Sequence, residues 1–314
     1  MSLRVAVQMD PIETVNISGD SSFALMLAAQ KRSHTVWHYD VTTLAWENSQ
    51  ITAWASPVTV QEVLGEHFTK GELQKINLAT DIDVILMRQD PPFDLGYITA
   101  TLILERLEGQ TLVVNDPASV RNAPEKMFVL DYARFMPPTL IARKLEDVQQ
   151  FWKQHGALVI KPLHGNGGQA IFRIEEDGTN LAALTELFGQ VWREPLMAQP
   201  FLPEVASGDK RIVLVDGEYA GAINRKPGKG EFRSNLAQGG YAEKSDLTDR
   251  EAEICAAMGP ELKKRGLIFV GIDVIGGNWL TEINVTSPTG IVAIDKFNGT
   301  DTPGLIWEAI ERRL

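Results

Sequence analysis

The chain has 314 residues, 44% of them hydrophobic and 23% charged, and a formal net charge of -11. That length can bury a large core and suits two or three subdomains, whereas the acidic balance argues against a nucleic-acid surface, which needs a basic face. The single cysteine, Cys255, excludes an intrachain disulfide and fits a reducing cytoplasm. The apolar N-terminal run is too short for a signal peptide, and no stretch approaches the length of a membrane span.

Leu3 to Met9 reads as a buried first strand, ended by the Asp10-Pro11 turn. Asp20 is placed to cap a helix that runs on from Phe23 to Arg32, and Val36 to Tyr39 is a second strand. This βαβ opening predicts a doubly wound α/β layer. No G-x-G-x-x-G follows the first strand, which argues against a dinucleotide site. Trp46, Trp54 and Phe68 are expected to be packing residues. Asp83 to Met87 is another buried strand and leads into Arg88-Gln89-Asp90-Pro91-Pro92-Phe93-Asp94. Ligands favour that end of a strand in open α/β sheets. Arg88 is placed there either to bind a substrate carboxylate or to pair with Asp90 or Asp94, and spacing alone does not choose. A helix over Tyr97–Leu107 and a strand over Thr111–Asn115 close the domain near Asn122.

The pattern changes at Pro124. Glu125-Lys126 opens a helix through Asp131, Thr139 to Ile141 is a short strand, and Leu145 to His155 is an amphipathic helix. Leu158 to Lys161 is a strand ending in a lysine, followed by His164-Gly165-Asn166-Gly167-Gly168 and a strand-like return over Ala170–Ile174. The glycine-rich loop therefore joins strand to strand, unlike a Walker loop, which joins strand to helix and carries G-K-[ST]. Its glycines let backbone N–H groups approach an anion, but a plain hairpin loop has the same pattern, and His164 reads as a loop residue. Met197 to Leu202 is short and extended. Asp209 to Val215 is a strand, Asp216-Gly217 a hairpin turn, and Glu218 to Asn224 the returning strand. Residues 226–242 carry many glycines and no periodicity, so a mobile flap is expected, with Arg233 among its positive charges. A simple register puts Arg211 and Arg225 on opposite sheet faces, so a bulge is required if both serve one site. Cys255 falls in a helical pattern over Glu251–Lys264 and reads as packing.

The last motif is LIFVGIDVIGGNWLTEINVTSPTG, Leu267 to Gly290. Two β-rich runs flank a Gly/Asn turn, which predicts a hairpin. Glu282 and Asn284 share a face. A Gly277-Asn278 loop puts Asp273 opposite Glu282; a Gly276-Gly277 loop puts it beside Glu282; a three-residue loop would send it to the other face. Paired carboxylates repel each other, and a hard divalent cation between them would remove that cost. Asp, Glu and an Asn carbonyl suit Mg²⁺ or Mn²⁺ rather than zinc.

Lys126, Lys161 with its glycine loop, the extended segment before Leu202, and the Asp273/Glu282/Asn284 hairpin together resemble the ATP-grasp fold. MDPI, MRQDPPFD, VNDPASVRNAPEK, GDKRI, VDGE and GLIFVGIDVIG…LTEINVTSPTG resemble the bacterial glutathione synthetase family over essentially the whole chain. The resemblance implies an α/β (α+β) protein: an N-terminal doubly wound domain over 1–122, one ATP-grasp lobe over 123–203 and a second over 204–314. It implies ATP-dependent ligation of γ-glutamylcysteine to glycine, a cytoplasmic location and a homo-oligomer, dimer or tetramer, with no membrane or nucleic-acid partner. By family pattern Lys126 and Lys161 contact the ATP phosphates under Gly165, Gly167 and Gly168. The segment with Gln199 and Leu202 holds adenine, Leu202 supplying the N–H that Pro200 lacks. Asp209 sits near the ribose, and Asp273, Glu282 and Asn284 hold the metal. Arg211, Arg225 and Arg233 handle the transferring phosphate and substrate carboxylates, and Arg88, Ser287 and Thr289 position the peptide. Two departures stand out. Val292 and Ala293 replace an Arg-Glu pair, a loss of about 1–3 kcal/mol of ammonium binding, and Tyr241 ends the flap where the family has arginine. These leave open a ligase for another dipeptide or amine, or a nucleotide-binding protein without ligation.

Overall fold

The structure is a computed structural model that describes residues 2–165, 167–234 and 239–314. Asn166 of the glycine-rich loop and residues 235–238 of the expected flap lie outside the described residues. Among the described residues no helix is long and apolar enough to cross a membrane.

The N-terminal part contains strands β1 (Arg4–Gln8), β2 (Thr35–Tyr39), β3 (Ala45–Glu47), β4 (Gln50–Val60), β5 (Phe68–Lys70), β6 (Gln74–Asn77), β7 (Val84–Met87) and β8 (Leu112–Val114). Four of them run parallel in the order β2-β1-β7-β8. Val5, Ala6 and Val7 are buried, as a central parallel strand covered on both faces requires. Helices α1 (Ser21–Lys31) and α2 (Leu95–Leu104) provide crossovers, and α3 (Pro117–Arg121) follows β8. Asp20 caps α1 by accepting from the Phe23 N–H at 2.7 Å, and Asp94 caps α2 from the Tyr97 N–H at 2.9 Å. Strand β4 pairs antiparallel with β2, β3, β5 and β6. On this ribbon the packing expectation fails for two tryptophans: Trp46 is 55% and Trp54 49% exposed. By register they lie on opposite faces of the sheet around β4 and stay exposed although their neighbours Ile51 and Ala53 are buried in the core. Phe68 does pack, half-buried against a core cluster.

The middle part begins with the single-turn α4 (Glu125–Phe128), which tightens into 3₁₀ turns over Val129–Phe135 rather than continuing as one helix. Strands β9 (Leu140–Ala142), β10 (Leu158–Pro162), β11 (Phe172–Ile174) and β12 (Leu196–Pro200) form an antiparallel sheet ordered β11-β10-β12-β9. Helices α5 (Leu145–His155) and α6 (Leu181–Val191) cover it. Val148, Leu158, Ile160, Ile174, Leu181 and Phe188 make a core cluster drawn from this part alone.

The C-terminal part is a sheet ordered β15-β14-β13-β16-β17, with β13 (Asp209–Val215), β14 (Glu218–Lys226), β15 (Tyr241–Lys244), β16 (Phe269–Ile275) and β17 (Trp279–Asn284). Asp216 and Gly217 both take positive φ, 52° and 83°, as a tight two-residue hairpin needs. Helices α7 (Asp249–Lys264), α8 (Ile291–Asn298) and α9 (Thr302–Glu311) complete it, α7 starting in a Thr248/Glu251 capping box. Cys255 is buried in the core, and burial pushes its thiol up to about 12, so it packs rather than reacts.

The N-terminal and C-terminal parts share their cores: Ile85 and Met87 cluster with Ile212 and Ile272, and Val5 and Leu86 with Val213 and Trp307. Asn115 stitches the same seam. Its amide donates to the Phe269 and Val285 carbonyls at 2.7 and 2.8 Å and accepts from the Phe269 N–H at 2.8 Å.

Candidate active site

Two irregularities in the C-terminal sheet set the site. In the β13–β14 hairpin, Val215 faces Glu218 and Leu214 faces Tyr219, but Val213 faces Gly221. Ala220 is the extra residue, and beyond it Asp209 pairs with Arg225. This is the bulge that the register argument required, and it brings Asp209, Arg211 and Arg225 to one face. The β16–β17 hairpin turns through three residues, Gly276 to Asn278, since Ile275 faces Trp279. By alternation alone such a loop would separate the acids, and that expectation is overturned. A bulge at Thr281 restores the register, so Asp273 faces Glu282 and Gly271 faces Asn284. Gly271 matters here because a Cβ would sit 3.2 Å from Arg211 Cδ, in the path by which that side chain reaches Asp273.

The acids on this face are compensated by cations of the protein itself. Asp273 accepts from Arg211 Nε at 2.6 Å and Nη2 at 3.0 Å, and lies 3.0 Å from Arg225 Nη2. Burial alone would raise the Asp273 carboxyl, but the two guanidiniums override it and hold it well below the usual carboxylate range. Arg225 Nη2 also donates to Asp209 Oδ2 at 2.7 Å, which Ser234 Oγ meets at 2.9 Å. Burial raises the Asp209 carboxyl, with Arg225 opposing. Asn284 Nδ2 is 3.4 Å from Asp273 Oδ2. Glu282 faces the lysines of the middle part: Lys126 Nζ at 3.3 Å and Lys161 Nζ at 3.9 Å. Burial lowers the Lys161 ammonium. At Lys126 burial is outweighed by Glu282 and Glu125, and the pKa rises.

Two clefts meet at this point. The first, about 870 Å³, lies between the middle and C-terminal sheets. Lys126, Lys161, Gly165, Gly167, Gly168, Gln199, Leu202, Asp209, Arg233, Asp273 and Glu282 of the sequence-based set all line it, and Val159, Ile171, Phe201 and Ile275 supply apolar walls. The Phe201 N–H is taken by Ala157 O at 2.8 Å, so Leu202 is left as the donor after Pro200. Gly167 and Gly168 take positive φ, and Lys126 Nζ donates to Gly165 O at 2.7 Å. Arg233 reaches over from the segment after β14, donating to Gly168 O at 3.0 Å and pairing with Glu231 at 2.6 Å. The second cleft, about 990 Å³, is lined by Asp90, Glu125, Arg211, Arg225, Glu282, Asn284, Ser287 and Thr289. Glu282 lines both.

Arg88 stands apart. Its guanidinium is buried, donates from Nε to Ser22 Oγ at 3.0 Å, stacks over Phe269 at 5.3 Å and leaves Nη1 unpaired. Among the described residues it makes no ion pair with Asp90 or Asp94; Asp94 is spent as a helix cap. Ser287 Oγ donates to Arg88 O at 3.2 Å. His164 stacks on Phe93 with burial lowering its pKa, as befits a loop packing residue. Lys226 pairs with Glu243 at 2.9 Å, outside both clefts. Sequence reasoning missed Glu125, Phe232 and Ser234 as wall residues. Glu125 registered only as the start of a helix, and the other two sit in a segment with no periodic signal.

Among the described residues no three His, Cys, Asp or Glu side chains cluster as a metal site. Two carboxylates and an amide on one face, at the edge of the first cleft, nevertheless fit a hard cation that takes its remaining ligands from phosphates and water.

Family models describing the prokaryotic glutathione synthetase N-terminal domain and its ATP-grasp domain match residues 3–121 and 125–299. The chain belongs to the prokaryotic glutathione synthetase family. Two glutathione synthetases illustrate the likeness. That of Bradyrhizobium diazoefficiens is 54% identical over 313 residues, covering 100% of this chain and 99% of its own. That of Rhodopseudomonas palustris is 52% identical with the same coverage. Among solved structures, a D-cycloserine synthetase superposes with a TM-score of 0.70 at 16% identity, covering 98% of this chain and 99% of its own, a likeness of ATP-grasp fold.

Proposed function

We propose that the chain ligates γ-glutamylcysteine to glycine, forming glutathione, ADP and phosphate through an acylphosphate. ATP-dependent glutathione synthesis by an ATP-grasp ligase is the activity of this family. The observation that carries the assignment of parts is the meeting of two clefts at Glu282, with Lys126 and Lys161 within 3.3 and 3.9 Å of it. One cleft takes the nucleotide, the other the dipeptide, and phosphoryl transfer takes place where they join.

In this reading the apolar walls and Leu202 N–H hold adenine, Gln199 lies beside it, and Asp209 faces the ribose. Lys126 and Lys161 hold the phosphates under Gly165, Gly167 and Gly168. Asp273, Glu282 and Asn284 would hold Mg²⁺ or Mn²⁺, which when bound neutralises developing phosphoryl charge. Arg211 and Arg225 orient the acyl carboxylate toward the γ-phosphate, and fixed cations there stabilise the spread charge. Arg233 on the segment after β14 closes the first cleft, so that water does not reach the acylphosphate. Ser287 and Thr289 position the dipeptide, and Arg88 supports that wall from behind. The division into 1–122, 123–203 and 204–314 is proposed on the same basis. Val292 and Ala293 pack against the core at the start of α8 and bring no charge to the dipeptide cleft.

ADP release is measured with ATP, Mg²⁺ and glycine, with and without γ-glutamylcysteine. Dipeptide-dependent release is expected; its absence refutes the assignment. Glu282→Ala should lower the rate about 10²-fold or more while the far-UV spectrum stays native, and retained activity would remove Glu282 from the site.

A further inference from the structure

Glu125 is a carboxylate that the roles above leave unused. It opens a helix of a single turn, its side chain is 17% exposed, and its ion contact is the Lys126 ammonium at 3.7 Å. That ammonium is more engaged elsewhere: Glu282 Oε1 lies at 3.3 Å and Gly165 O accepts from it at 2.7 Å. Arg211 and Arg225, the other cations of the second cleft, are paired with Asp273 and Asp209. Glu125 thus has no cation of its own, on the wall of the dipeptide cleft and one lysine away from Glu282, which lines both clefts. Burial pushes its carboxyl up to about 7, with Lys126 and Arg211 opposing and Glu282 and Asp273 adding to the rise.

The second half of a carboxylate–amine ligation needs a group of this kind. Glycine arrives as an ammonium ion, which has no lone pair with which to attack. It must be held by a negative charge beside the acyl carbon and give up a proton there.

We propose that Glu125 receives the acceptor's ammonium group and takes its proton as the nitrogen attacks the acylphosphate. The inference rests on the ligase reading above. The nitrogen lone pair forms the C–N bond, the bond between the acyl carbon and the phosphate oxygen breaks, and phosphate leaves with that electron pair. Of the two protons the ammonium loses, one goes to the Glu125 carboxylate and the other departs on the phosphate as HPO₄²⁻. The dipeptide's own α-ammonium is a poorer candidate, because it lies at the far end of the donor from the reacting carboxyl.

The test separates a charged acceptor from a neutral one. Hydroxylamine is largely unprotonated at neutral pH and attacks acylphosphates without a base. Wild-type protein with ATP, Mg²⁺ and γ-glutamylcysteine is given glycine or hydroxylamine, and glutathione and hydroxamate are measured. Glu125→Gln should lose about 10²-fold in glutathione formation and form hydroxamate at the wild-type rate, a result that also reports an intact fold and phosphoryl transfer. Glu125→Asp should recover part of the glycine reaction. Equal loss with both acceptors would mean that Glu125 acts through Lys126 or the fold, and loss with neither would mean that it does nothing; either overturns the proposal. Wild-type protein that forms neither product overturns the ligase reading itself, before any variant is tested.

Discussion

At the residue scale, Asp273 shows how one carboxylate serves stability and site together. It is buried and bound by two guanidiniums, so its folded pKa lies below the unfolded value of about 3.9. A carboxyl depressed in this way contributes stability above the unfolded pKa and loses it as pH falls toward the folded one. Urea midpoints should therefore drop below about pH 4, and Asp273→Asn should flatten that dependence. At neutral pH the same change leaves Arg211 and Arg225 short of their partner and should cost about 3–5 kcal/mol. A variant as stable as wild type at pH 7 would contradict the pairing. The identity of this residue was legible in the sequence, because an acid interrupts the apolar run from Leu267 to Ile275. Its neutralising partners were not, since Arg211 lies 62 positions away and reaches it only through strand pairing.

At the element scale, the bulges decide which side chains meet. The sequence showed that Arg211 and Arg225 need one, because both are counted from a recognisable Asp216-Gly217 turn. It carried no signal for the bulge at Thr281, because loop length and bulge shift the register in opposite directions and cancel. Parity makes a prediction. One alanine inserted between Gly221 and Ala222 turns Arg225 to the opposite face, and turnover should fall about 10²-fold or more. Deleting Ala220, the bulged residue, leaves Asp209 facing Arg225 and should retain most activity. Turnover of the two variants in the reverse order would refute the register. The tryptophans illustrate the opposite difficulty. Trp46 and Trp54 look like core by composition, but whether each is covered is decided by elements far away in the chain.

At the scale of the whole molecule, the N-terminal and C-terminal parts behave as one body. They share two core clusters, and three hydrogen bonds from Asn115 cross their seam. Asn115→Ala strands buried Phe269 and Val285 backbone groups, at about 1–3 kcal/mol for each group left unmatched. Both parts should then lose stability together in one denaturant transition; two separate transitions would show that they fold independently. From the sequence Asn115 was visible only as the end of a strand, since a side chain that bonds two distant carbonyls has no local pattern. The βαβ opening, the hairpins and the glycine loop were legible because each rests on local periodicity or turn chemistry.

The sheet and helices of the middle lobe hold a hydrophobic cluster of their own, from Val148 to Ala198, while Phe128, Val129 and Phe135 at its start belong to the core of the other two parts. Across the first cleft it meets the remainder through Lys126 and Lys161 to Glu282 and Arg233 to the Gly168 carbonyl, with ring contacts from Phe201 to Phe232 and from His164 to Phe93. A swing of that sheet and its helices about the segment after Phe135 would leave the Val148 to Ala198 cluster packed and exchange those few contacts at its border. Widening the first cleft in this way would need no unfolding of that cluster.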